Sequence, residues 1–202
     1  VRTGSRSTPK SLNGPRRSMA QLPLVIYPDT ILKKRSVEIA NIDGDLVSFG
    51  HAMAETMYLS HGIGLAAPQV ARNVRLITVD VEQESGEMTL MHLINPVIVD
   101  SHGRTTCHEG CLSFPGLTAE VRRKAQIHVQ AFDLEGQELD FDADGMLSIC
   151  IQHEIDHLNG VCFVDRLSPV KRKLVVRDYL REQDLDRREE AYRSIRSVHE
   201  TE

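Results

Sequence analysis

The segment Gln152-His153-Glu154-Ile155-Asp156-His157 constrains this chain more than any other. Side chains four residues apart stack on one face of an α-helix, so both imidazoles can reach a single ion while the intervening glutamate stays beside it. The residues before the segment say which way that face points. Met146, Ile149 and Cys150 form an apolar stripe that runs on into His153 and His157. The spacing predicts a helix from about Asp144 to Asn159, ended by Gly160, with its histidines directed inward. An exposed polar turn, the ordinary reading of such a segment, would continue a charged face instead.

The rest of the chain reads as α+β. Leu46, Phe49, Met53 and Met57 recur at helical spacing behind a cap at Asp43 or Asp45, and Gly62 is the expected stop. β-rich stretches follow at Val74 to Asp80, at Met91 to Asp100 with Pro96 marking an edge or bulge, and at Ala125 to Asp133. Leu134-Glu135-Gly136-Gln137 is a hairpin turn leading into Glu138 to Phe141. Ser168-Pro169 opens a C-terminal helix, a capping residue followed by proline at the first helical position. Its expected docking face is Val170, Leu174 and Val175, and Arg181 to Glu190 is almost wholly charged. The expected architecture is therefore mixed or antiparallel sheets around a central helix bearing the two histidines, with an N-terminal and a C-terminal helix.

Charge excludes one class of function. The chain carries a net −5, but residues 1–18 hold five basic side chains and no acid, leaving the remaining 184 residues at −10. A body of that sign does not bind nucleic acid chiefly by neutralising phosphates, and with no Trp it lacks the best stacking platform. No apolar run approaches the roughly 18 residues that span a bilayer. Residues 1–18 are expected to be an appended or read-through leader ahead of Met19, with an organellar transit peptide as the alternative. Residues 19–180 are expected to form one functional domain and 181–202 a charged helical extension or tail. Cys107, Cys111, Cys150 and Cys162 form no paired framework, so free thiols in a reducing compartment are expected, Cys150 and Cys162 as buried small hydrophobes.

Two histidines do not hold a catalytic metal in water; a third ligand is needed. Downstream, Asp165 is the only near choice. Upstream, Glu109-Gly110-Cys111-Leu112-Ser113 sets a cysteine beside a glycine at a bend, where backbone can approach closely. Cys111 could complete a Cys-His-His set or be a buried structural cysteine. A third segment, Gly62-Ile63-Gly64-Leu65-Ala66-Ala67-Pro68-Gln69, lets main chain run close to a ligand and adds the amide of Gln69.

Together, G-I-G-L-A-A-P-Q, E-G-C-L-S and Q-H-E-I-D-H, in this order, resemble the three signature motifs of the peptide deformylases, over about Leu24 to Val170. The resemblance implies a hydrolase that removes the N-formyl group from the initiator methionine of nascent polypeptides. It implies metal ligands Cys111, His153 and His157, with Glu154 as general acid/base and Gln69 and the backbone N–H of Leu112 stabilising the oxyanion. The substrate side is expected from Ile63, Gly64, Glu109, Gly110, Met146, Ile149 and Cys150. The family's metal is generally Fe(II), with nickel, cobalt or zinc able to replace it. Short connections between motifs resemble the type 1 bacterial and organellar class, and E-G-C-L-S-F-P-G-L-T-A-E-V is similar to the plant-organelle branch. Thr118 departs from the arginine that some bacterial members carry near the substrate channel. The expected location is the cytoplasm, or an organellar matrix or stroma if residues 1–18 are a transit peptide. Docking of the C-terminal helix on the ribosome through Lys171, Arg172, Lys173 and Arg177 is a further expectation; no DNA or membrane partner is expected. Two rival readings are a zinc endopeptidase with a downstream third ligand, and a metal-stapled binding module closed by Cys107 as a fourth ligand.

Overall fold

Helix α1 (Gly44–Leu59) begins where Asp43 accepts a hydrogen bond from the Leu46 N–H at 2.9 Å. Leu46, Met53 and Met57 are buried, as their spacing predicts, and Phe49 is half-buried. The helix stops at Ser60, and His61, not Gly62, takes the left-handed conformation at φ 57. Gly62 is small for a different reason: a Cβ there would lie 2.9 Å from Leu112 Cδ1. The computed structural model describes residues 21–81 and 90–199, with side chains described as far as residue 184, so the expected leader at 1–18 lies outside the described residues.

Strand β1 (Gly64–Ala66) is followed by a single 3-10 turn over Ala67–Val70, and then by β2 (Leu76–Val79) and β3 (Met91–His102). β2 is shorter than expected, since Val74 is spent on an isolated parallel bridge to Val37. In β3 the register slips between Ile94 and Val97, around Pro96, where Asn95 takes φ 51. The Asn95 side chain makes use of that kink, bonding the Ile39 backbone N–H and carbonyl at 2.9 and 2.8 Å. β4 (Thr105–Cys111) and β5 (Phe114–Arg123) form a hairpin that the hydrophobic pattern did not announce. β6 (Gln126–Phe132) and β7 (Glu138–Asp144) are joined by the expected turn, with Gly136 at φ 77.

The five-stranded sheet has the order β1-β2-β3-β6-β7 and β4-β5 forms a separate ribbon, every ladder being antiparallel. The fold is α+β. Helix α2 (Gly145–Leu158) packs Ile151, Ile155 and Leu158 against Ile77, Val79, Leu93 and Val129 of the sheet. It is more deeply set than a one-sided stripe: 11 of its 14 residues are buried, while Met146, in the first turn, is 45% exposed. Helix α3 (Pro169–His199) starts at the expected proline, but its docking face is rotated. Val170 and Leu174 are exposed, and the inward residues are Val175, Val176, Tyr179 and Leu180, which join Phe114 and Phe163 in an aromatic cluster. Burying Tyr179 against Phe114 and Tyr27 outweighs exposing two aliphatic side chains, because a large aromatic removes more apolar surface from water. Among the described residues no helix is long and apolar enough to cross a membrane.

Candidate metal centre

α2 brings His153 and His157 one turn apart, with ring centroids at 5.0 Å. The third donor comes from the last residue of β4. The β4-β5 ladder pairs Gly110 with Thr118 and then Cys111 with Phe114, so the strand bends there. The bend delivers the Cys111 Sγ to 3.2 Å from His157 Nε2. One ligand atom from each of Cys111, His153 and His157 lies within 4.8 Å of the others, and no second cluster of this kind occurs among the described residues. A thiolate and two imidazoles suit a divalent transition ion. Burial holds the His157 pKa well below its ordinary value, which keeps its imidazole neutral, the form that ligates. The rival sets do not assemble. Asp165 is taken up by Lys33, Arg172 and the Cys162 N–H, and the Cys107 thiol lies on the His108 carbonyl at 3.6 Å.

Glu109 was expected on the substrate side, and it borders the cleft. Its carboxylate, however, is occupied by Arg123 and by His153 Nδ1 at 2.8 Å, a contact that turns the ring's Nε2 towards the cluster. Burial alone would raise its pKa, but the bonds from Arg123 and His153 prevail and bring it down to about 2. Arg123 also reaches Asp156 at 2.5 Å, and Asp156 is held in turn by Arg166. Sequence reasoning passed over these three residues. The signal available was Asp156 itself, a carboxylate on an inward helix, which demands a cation.

The carboxylate of Glu154 lies against Gly64. A Cβ at Gly64 would sit 2.5 Å from Glu154 Oε1 and 2.7 Å from Cys150 Sγ, so glycine is a steric requirement there. Glu154 Oε2 is buried with no protein partner, and burial pushes the Glu154 pKa up to about 7 against the pull of His153. Gln69 is held in one orientation: its Oε1 accepts from the Ala66 N–H at 2.7 Å, which turns Nε2 to Cys111 Sγ at 3.4 Å and Ser113 Oγ at 3.3 Å. A cleft of about 730 Å³ opens over these groups. Ile149 and Cys150 form its buried wall; Ile63 and Met146 are exposed at its mouth; Leu112 and Thr118 border it from the hairpin. Gly110 also borders it, but a Cβ there would meet Thr118 at an ordinary 3.6 Å, so no close approach within the chain requires glycine at that position.

The geometry agrees with three comparisons. The family model described as polypeptide deformylase matches residues 21–173. A peptide deformylase of Thermodesulfovibrio yellowstonii is 47% identical over 156 residues, covering 77% of this chain and 94% of the relative. One from Syntrophobacter fumaroxidans is 44% identical, covering 80% and 95%. The crystal structure of a peptide deformylase from Legionella pneumophila superposes with a TM-score of 0.76 at 38% identity, covering 84% of this chain and 99% of that one. Similarity of that extent, at nearly half identity in sequence, means that this chain belongs to the polypeptide deformylase family.

Proposed function

We propose that the chain hydrolyses the formyl amide of N-formyl-methionine at the start of nascent polypeptides, releasing formate, through the cluster beneath the cleft. Cys111, His153 and His157 would hold one divalent metal, Fe(II) in the cell, with nickel, cobalt or zinc able to replace it. When bound, the metal supplies Lewis acidity, which lowers the pKa of a water and polarises the formyl carbonyl. Glu154 accepts the proton of the attacking water and returns it to the departing amine nitrogen. Its buried carboxylate is braced by Gly64 and has one oxygen without a protein partner, as a proton carrier requires. The oriented Nε2 of Gln69 and the Leu112 N–H donate to the oxygen that gains charge as the carbonyl carbon becomes tetrahedral. β1 is an edge strand, paired with β2 on one side only, so its backbone at Gly64 can align an extended peptide. Ile149, Cys150, Ile63 and Met146 offer the methionine side chain an apolar wall.

The observation that carries this reading is the convergence of Cys111, His153 and His157 on one point with Glu154 beside them. It is tested by formate release from a formyl-Met tripeptide, using protein prepared anaerobically with Fe(II) beside an apo control. Absence of release from the loaded protein would overturn it. We place the activity in the cytoplasm, where nascent formylated chains are made. Lys171, Arg172, Lys173 and Arg177 are exposed on α3 and support docking on ribosomal RNA. Because α3 also buries Tyr179, the test is charge reversal, Lys171→Glu with Lys173→Glu, and not deletion of the helix. Unchanged co-sedimentation with ribosomes would refute the docking.

A further inference from the structure

A second cavity, of about 660 Å³, lies against another face of α2, on Gln152, Ile155 and Asp156. Seven cationic side chains border it against two carboxylates, in a chain whose net charge is −5. Three of the seven are engaged already. Arg123 and Arg166 bond Asp156. Arg75 is only 7% exposed and gives its hydrogen bonds to neutral acceptors, Asn159 Oδ1 at 3.0 Å, the Pro96 carbonyl at 3.2 Å and the Leu158 carbonyl at 3.5 Å. Among the described residues no carboxylate comes within ion-pair distance of it. Burial, and then the charge of Arg35, lowers its pKa against the opposing pull of Glu38, which also borders the cavity, so Arg75 carries a positive charge that its surroundings only partly offset.

The remaining four, Arg35, Arg104, Arg122 and Lys124, are exposed and make no ion pair among the described residues. They come from three separate stretches: the segment after the 3-10 turn Thr30–Lys33, the β3-β4 turn, and the end of β5 with the residue that follows it. Their convergence costs like-charge repulsion, which an anion would relieve. Guanidinium groups at several angles match the oxygens of a phosphate, each offering paired N–H donors. The volume is that of a small-molecule site. A cavity of this size takes in a compact anion and has no room for the length of a polyanion.

We propose that this cavity binds a compact phosphate-bearing anion, with Arg75 in its buried wall and Arg35, Arg104, Arg122 and Lys124 around its mouth. The test is equilibrium dialysis of the metal-loaded chain against inorganic pyrophosphate at low ionic strength, with metal content assayed afterwards. Saturable binding of one pyrophosphate per chain is expected, weakened at least tenfold in Arg104→Glu with Arg122→Glu and also weakened in Lys124→Glu. Formate release by these variants should be unchanged, which also shows that they fold. Equal affinity in wild type and the double variant, as binding at the metal would give, would overturn the proposal. So would the absence of saturable binding, or tighter binding of a single-stranded RNA 20-mer that the same substitutions abolish.

Discussion

Arg123 clasps Glu109 through Nε at 2.6 Å and Nη2 at 2.8 Å, with both side chains buried. Glu109 in turn holds His153, so the pair is a strut behind the proposed metal ligands. Replacing Arg123 with Met would leave two buried carboxylates, Glu109 and Asp156, without their shared cation. Loss of one partner of a buried ion pair costs about 3–5 kcal/mol, and disturbing the support of a metal ligand weakens metal binding by about 10–100-fold. Urea denaturation and metal competition should show both effects. Wild-type metal affinity in the variant would mean that the strut is not coupled to the site.

Gly64→Ala places a methyl group against Glu154 Oε1 and Cys150 Sγ. Neither neighbour can move far, because both are on the buried face of α2. The expected outcome is a fall in kcat on the order of a hundredfold, the usual cost of moving a catalytic group by about an ångström, with metal content unchanged. A variant with wild-type kcat would show that Glu154 has room to adjust.

Glu154→Gln keeps the volume and removes the proton acceptor. Turnover should fall by about 10²–10⁴-fold, the range for a general acid/base, while the ligands Cys111, His153 and His157 retain their metal. Metal analysis beside the kinetics separates the two roles; simultaneous loss of metal would make Glu154 a ligand.

Ile149 is a buried part of the cleft wall, and Met146 stands exposed at its edge. A long unbranched side chain fits such a wall, so formyl-Met and formyl-norleucine peptides should react comparably, both well above formyl-Ala, with formyl-Asp almost inert. Ile149→Asp should lower kcat/KM for formyl-Met peptides at normal metal content. Cleavage of formyl-Asp at the formyl-Met rate by the unaltered enzyme would refute the assignment of the wall.

His92, on β3, is a titratable group outside the Cys111, His153 and His157 cluster. Its Nδ1 meets Thr78 Oγ1 at 3.0 Å and its Nε2 is buried without a partner. Burial, and then the charge of His51, brings its pKa from 6.5 down to about 4. The unfolded chain therefore takes up this proton first as the pH falls. Stability is full above pH 6.5 and declines towards pH 4, and His92→Gln should flatten that decline in urea midpoints measured between pH 7 and 4.5. An equally steep decline in the variant would assign the effect to other groups.

The elements legible in the sequence are those whose inward residues are apolar and periodic. α1 was visible through Leu46, Met53 and Met57, and β6 and β7 through their turn. The β4-β5 ribbon was not, because its inward positions include Glu109, Ser113 and Arg123, polar groups that no hydrophobic pattern marks as internal. The docking face of α3 was misjudged for a related reason: Val170 and Leu174 look like anchors until Tyr179 meets Phe114, a contact between distant segments. Of the candidate site, short-range motifs marked Cys111, His153 and His157, which the fold brings together, and their neighbours Glu154 and Gln69. Arg123, Asp156 and Arg166 act as a network only because β5, α2 and the segment after it meet in space.

The near-complete burial of α2 has a consequence for how such an enzyme can change. The helix that carries the candidate ligands His153 and His157 is also the piece around which the sheet packs, so a substitution there is judged on folding before it is judged on catalysis. Drift along α2 is closed in both respects at once. Selection in the laboratory for a different acyl group should therefore gather its changes at Ile63 and Thr118, which border the cleft from exposed positions, and leave Gly145–Leu158 nearly as it stands.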